Sequence, residues 1–303
     1  MSDTATQTLP DRDAHGILLV FLAGVLWSTV GLGIRLIDEA VVWQILFYRS
    51  FSLSLLLYVV IRLRTGKDPF VLARQAGLRG ILGGLSLVAA YGGGIFALQS
   101  TSVANAMLLF ASAPFMAAIL GLVVLREGVR LHTWAAIGLA CVGIGVMVWN
   151  QTGNASMMGN LAALGSAFGF AVFTIIIRWG KSGEMLPLVF VSGILGVFIM
   201  GAICLLLGLP LILTPQDGGI ALSMGIFQVG AGLILYTIGS KSVPAAELTL
   251  LSMAEVVLGP VWVWLFLGET TTQQTLFGGA ILLAAIAGNA FVGTRRRPPV
   301  PRA

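Results

Sequence analysis

Between Arg79 and Arg126 the chain carries no Asp, Glu, Lys or Arg, and from Leu131 to Ile177 the same is true again. A bilayer core about 30 Å thick is crossed by roughly 20 apolar residues. Each stretch is therefore too long for one crossing and has to fold back on itself. The first breaks at Gln99-Ser100-Thr101-Ser102, and the second at Asn150-Gln151-Thr152-Gly153-Asn154-Ala155-Ser156. With 57% hydrophobic and only 10% charged residues, the chain is outside the range of soluble globular domains. It reads as an all-α integral membrane protein.

Converting the whole sequence in this way predicts ten spans, at 16–36, 43–61, 77–98, 103–125, 132–149, 157–177, 186–207, 218–240, 245–267 and 274–293. Residues 1–15 are polar, and 294–303 hold Arg295, Arg296 and Arg297 beside prolines. Both ends are expected to be disordered tails. No basic region precedes the first apolar segment and no small-residue cleavage pattern follows it, so it is expected to be retained.

Cytoplasmic loops collect Lys and Arg, which gives an orientation. With ten spans, 15 of the 17 basic residues fall on the side of the N-terminus, in clusters such as Arg62 to Arg79, Arg126 with Arg130, Arg178 with Lys181, and the C-terminal tail. Arg35 alone lies on the other side, and Arg49 lies within a helix. Both termini are thus expected in the cytoplasm, in a bacterial inner membrane. The net charge of +5 reports this topology and contact of the basic loops with anionic lipid, not nucleic acid.

A shift of 142 residues lays Ser242, Ala246, Leu267 and Glu269 on Ser100, Ala104, Leu125 and Glu127; a shift of 143 lays Phe170 on Trp27 and Arg178 on Arg35. Two repeats follow, 16–150 and 157–293, each of five spans. Because five is odd, the copies enter the membrane in opposite orientations. Inverted repeats can exchange conformations around a midplane site and expose it to either side in turn.

Chemistry is sparse. There is no Gly-x-x-x-x-Gly-Lys or Gly-x-Gly-x-x-Gly loop for a nucleotide. His15 and His132 fall at span ends, and Asp38 and Asp217 are expected in loops, so neither a serine-type nor an aspartyl-type hydrolase can be assembled. Cys141 and Cys204 sit in separate apolar spans with no metal-ligand spacing. No enzyme, metal or cofactor is expected.

Three ionisable residues remain inside the spans: Arg49, Glu247 and Glu255. A charge there costs several kcal/mol unless it faces a partner or a wet cavity, which makes it a functional-site hypothesis. Two readings stay open for the central residue. Glu255 is a protonatable coupling or substrate-ammonium site tuned by Arg49, or the two are a structural ion pair; Glu247 lies close enough to the interface to be merely solvated. Gly92-Gly93-Gly94 and the Gly165-x-x-x-Gly169 pair permit close helix approach or bending. Trp27, Tyr91, Phe110, Phe170, Tyr236 and Trp262 are candidates for an aromatic pocket, with Asn105 and Gln228 as neutral hydrogen-bonding groups. So few buried cations suit a neutral or zwitterionic organic substrate better than a phosphate or dicarboxylate.

Leu26-Trp27-Ser28-Thr29 followed by Arg35, Arg49 in the second span, Leu125-Arg126-Glu127 closing the fourth, and Glu255 with Leu267-Gly268-Glu269 in the ninth resemble the EamA-type drug/metabolite transporter superfamily over nearly the whole chain. The opening segment Leu26 to Gly31 is similar to the aromatic amino-acid exporters of YddG type within it. Where family members often have Glu-Pro in the ninth span, this chain has Glu255-Val256, with Pro260 one turn later. The resemblance implies a cavity lined by spans 1, 3, 4, 6, 8 and 9, with 5 and 10 peripheral. It implies export of small metabolites, foremost aromatic and other neutral amino acids, by alternating access. Efflux of cationic drugs, or a receptor or scaffold with a filled core, are the competing functions.

Overall fold

A computed structural model describes residues 14–149, 157–180, 185–240, 242–243 and 245–294; the side chains of 180, 245–247, 249, 250, 252, 293 and 294 lie outside that description. The two expected tails and the 150–156 turn fall almost wholly outside it. The expectation for Glu247 rests on its side chain and falls outside it as well. Among the described residues there are helices and no strand, with nine helical segments long and apolar enough to cross a membrane and a shorter apolar one, Met253–Leu267.

Span 1 is two helices, α1 (Ala14–Ser28) and α2 (Val30–Arg35), and span 2 is α3 (Val42–Thr65). Span 3 is α4 (Pro69–Ser100), and span 4 is again two helices, α5 (Val103–Phe110) and α6 (Ala113–Val124). Then come α7 (Leu131–Val148), α8 (Met157–Gly180) and α9 (Met185–Leu206). Span 8 is α10 (Pro215–Ser223), a π-helical stretch Met224–Ala231, and α11 (Gly232–Gly239). The last two are α12 (Ala245–Leu267) and α13 (Gln273–Thr294).

The breaks have local causes. In span 1 the hydroxyls of Ser28 and Thr29 donate to the carbonyls of Val25 and Leu26, both at 2.7 Å, drawing them out of the helical ladder. Pro114 breaks span 4, because it lacks an N–H and its ring crowds the carbonyl four residues back. The Ser112 hydroxyl donates to Leu109 O at the same joint. In α4 a lead-in from Pro69, capped by Asp68, precedes the expected start of span 3, and the two parts are separated at Gly77, whose non-helical φ of 55° suits glycine. Pro260, in contrast, sits inside an unbroken α12.

One expectation needs correcting. Asp217 lies not in a loop but in the first turn of α10, buried, where its carboxylate accepts the backbone N–H groups of Asp38, Glu39 and Ala40 at 2.9 to 3.0 Å. Three donors compensate the charge, so the residue staples the turn after span 1 to span 8. Span 8 accordingly starts three residues before the expected boundary.

The repeats leave a backbone signature at a shift of 142. Gly66 and Gly208 have φ of 67° and 65°, and Arg126 and Gly268 have 56° and 67°. Glu127 N–H donates to Gly121 O and Glu269 N–H to Val263 O, both at 3.2 Å. Packing also crosses between repeats: α4 lies on α8 and α9, α3 on α9, α1 on α11 and α12, and α6 on α8, while α7 and α13 pair with each other. Gly93 faces Ala162 O and Ser166, and Gly169 faces Ser86 O and Ala90, so these two glycines set the close α4–α8 approach, whereas Gly92 and Gly165 face open space.

Candidate functional site

One helix irregularity, the π-helical stretch of span 8, lies against an expected charged residue. Arg49, on α3, is 6% exposed, and the π-helical stretch packs against its turn because Gly225 has no side chain to hold the two backbones apart. π-helical turns inside longer helices are frequent at functional sites. The Arg49 guanidinium lies over the Tyr91 ring of α4, 4.7 Å from its centroid. Glu255 of α12 is close enough to interact electrostatically with both Arg49 and Tyr91. Yet Arg49 and Glu255 do not touch: among the described residues no ion pair within 4.0 Å joins them, and neither side chain makes a hydrogen bond. A buried guanidinium has five donors to satisfy, so this one is left ready for an acceptor that the described residues do not supply.

Aromatic groups form two clusters at the breaks. At the end of α1, Trp27 meets Tyr236 of α11 with ring centroids 5.4 Å apart, and its carbonyl, freed by the break, accepts Gln228 Nε2 at 3.3 Å. Trp262 Nε1 donates to Ser28 Oγ at 2.8 Å, tying α12 to the same joint. The Gln228 Oε1 is buried with no partner among the described residues. In the second cluster Phe110, the last residue of α5, meets Phe170 of α8 at 5.7 Å, and Phe170 meets Phe173 at 6.1 Å.

Asn105 stands apart from both clusters. Fully buried, it bonds Asn160 of α8 and Thr101, and its Oδ1 accepts from Thr275 of α13 at 3.4 Å, a knot between the two repeats. Two apolar surface clefts, of about 430 and 380 Å³, lie between α7 and the start of α13 and between α1 and α12. Neither holds Arg49 or Glu255.

Sequence reasoning missed the pairing of the two repeat-matched arginines. Arg35 Nε donates to Glu269 Oε2 at 2.7 Å, and Arg178 to Glu127 Oε2 at 2.5 Å, so each arginine bridges to the carboxylate of the other repeat. The signal was present, since all four residues stood out as repeat mates, but a linear match aligns equivalents and does not show which of them touch.

Fold and site define a polytopic α-helical membrane protein of two repeats, with opposite charges held apart at its centre. A family model described as the EamA-like transporter family matches residues 14–149 and 157–291, one match for each repeat. The chain belongs to this family. It is similar to an uncharacterized transporter, YwfM, of Bacillus subtilis (strain 168), at 28% identity over 63% of this chain and 65% of the relative. Another uncharacterized transporter, of Methanothermobacter thermautotrophicus, is 23% identical over 62% of this chain and 57% of its own length. The chain thus spans about two thirds or less of the curated relatives it matches. A solved crystal structure of a protein superposes with a TM-score of 0.65 over 93% of this chain and 99% of its own. At 21% identity that likeness concerns the fold alone.

Proposed function

We propose that the chain is a carrier of the bacterial inner membrane, both termini cytoplasmic, that exports small neutral or zwitterionic organic metabolites by alternating access of two inverted repeats. Aromatic and other neutral amino acids are the leading substrates. The observation that carries this reading is the separated pair Arg49 and Glu255: two opposite charges within the membrane span, in electrostatic range, with no bond between them. A substrate carboxylate on Arg49 and a substrate ammonium on Glu255 would close both sides of that gap. The Phe110–Phe170 and Trp27–Tyr236 pairs would supply apolar surface for a side chain, and Gln228 Oε1, without a partner among the described residues, is a further acceptor. Arg62, Arg64, Lys67, Arg74 and Arg79 cluster in and around the turn between spans 2 and 3, which supports a cytoplasmic face in contact with anionic lipid.

Reconstituted protein in liposomes loaded with phenylalanine is expected to accelerate uptake of labelled phenylalanine over empty liposomes. A panel of neutral amino acids should compete, and methyl esters or decarboxylated amines should compete poorly, because each lacks one of the two charges. Counterflow no faster than in empty liposomes across the whole amino-acid panel would overturn the substrate assignment.

A further inference from the structure

The two Arg–Glu bridges are equivalent in sequence but not in surroundings. Each joins the first span of one repeat to the fourth span of the other, and each carboxylate leaves the same type of turn, as the paired positive φ values and the matching Gly121 and Val263 carbonyls show. They stand at opposite ends of the bundle: from Val103, beside the first bridge, to Val124, just before Glu127, the fourth span rises about 33 Å at 1.5 Å per residue.

The first bridge grips more than its partner. Arg35 also donates to Leu98 O at 2.5 Å and Thr101 O at 2.8 Å, and Glu269 Oε1 accepts Val103 N–H at 2.8 Å. The ends of α2, α4, α5 and α12 are thereby fastened together, and the pair is only 25% and 21% exposed. Among the described residues the second bridge holds nothing else. Arg178 and Glu127 are 49% and 46% exposed, with no further side-chain bond among the described residues. At a shift of 142 the counterparts of Leu98, Thr101 and Val103 are Ser240, Val243 and Ala245, and among the described residues no bond joins Arg178 or Glu127 to them. Helix packing follows the same division. The fourth span meets α12 through its α5 half, where Gly259 faces Met107, while its α6 half leans on α8.

We infer that each Arg–Glu bridge is a permanent joint carrying a two-position clasp. In its closed position it grips the turn between the third and fourth spans of a repeat, and the two clasps alternate to seal opposite ends of the carrier. In this structure the clasp at Arg35 is engaged and the clasp at Arg178 is disengaged, which assigns the unsealed end to the side of the Arg178 bridge. In the opposite state Arg178 donates to the carbonyls of Ser240 and Val243, Glu127 accepts from Ala245 N–H, and Arg35 releases Leu98 and Thr101. Because the clasps are chemically alike, opening one is offset by closing the other, which keeps the two states close in free energy, as a carrier requires. The inference rests on the alternating-access reading, but not on the identity of the substrate.

The test uses the full chain with Cys141 and Cys204 replaced and a single cysteine at Met107, behind the Arg35 clasp. It measures the rate of labelling by a soluble thiol reagent in detergent with no substrate present. Glu269→Gln weakens the engaged clasp and should raise that rate on the order of tenfold, the effect expected when charge-assisted bonds are lost from one state only. Glu127→Gln weakens the opposite clasp and should lower the rate. Arg35→Lys keeps the ion pair but cannot span both carbonyls; it should shift labelling in the direction of Glu269→Gln and serves if that variant does not fold. Opposite shifts from the two glutamates support the clasps even if no amino acid is transported. Shifts in the same direction, or none, would overturn them even if transport is intact.

Discussion

Replacing Glu255 by glutamine removes one charge from the centre of the span and nearly preserves its shape. Because no Arg49–Glu255 contact falls within 4.0 Å, their attraction at an effective dielectric near 20 is capped at about 4 kcal/mol and drops to about 2 kcal/mol at twice that distance. Arg49 keeps its stacking on Tyr91, worth about 0.5–2 kcal/mol, so it is not stranded by the change. We therefore expect Glu255→Gln to fold with a loss of about 1–3 kcal/mol, below what breaking a direct buried ion pair commonly costs, about 3–5 kcal/mol. If Glu255 carries a coupling proton, substrate exchange should persist while acceleration by a proton gradient vanishes; if it holds the substrate ammonium, exchange itself should fall. The assays are thermal stability in detergent and transport at two pH gradients, for Glu255→Gln, Arg49→Met and the double variant. If the pair serves the substrate, the double variant stays inactive. Recovery of both stability and transport in the double variant would mean a structural pair and refute the site; wild-type behaviour of Glu255→Gln in both assays would show that the residue has neither role.

The remaining expectations are simpler to check. A valine at Gly93, where a Cβ would stand 2.8 Å from Ala162 O, should cost about 1–3 kcal/mol in detergent unfolding by forcing α4 and α8 apart, whereas Gly92→Ala, with nothing within 4 Å, should be nearly neutral. Gly208→Ala places a side chain at φ of 65° and should cost about 1–2 kcal/mol, visible in the same unfolding assay. In intact cells, a cysteine at Gln216 should react with an impermeant thiol reagent and one at Lys67 or Arg130 should not, after Cys141 and Cys204 are replaced; labelling at Lys67 from outside would invert the proposed orientation. Phosphorylated sugars and dicarboxylates should fail to compete in counterflow, since Arg49 is the one cation that the sequence places away from the ends of a span.

How much of this was legible beforehand follows from which interactions are local. Span number and approximate ends were readable because a bilayer selects for apolar length, a property of consecutive residues. The repeat was readable because Arg35, Arg178, Glu127 and Glu269 recur at a nearly constant shift. Cross-repeat contacts had no such signature. That Arg35 meets Glu269 and not Glu127, that Asp217 folds under the turn at 38–40, and that Asn105 is tied to Asn160 and Thr275 are decided by the threading of one repeat through the other. The same holds for the charged centre. Sequence alone put Arg49 and Glu255 in the membrane, where each needs a reason to be charged. Only the tertiary structure set them apart, with Arg49 on Tyr91 and the π-helical stretch of span 8 against its turn, because separation depends on how closely helices approach, and that is governed by small residues such as Gly225 meeting a backbone more than a hundred positions away.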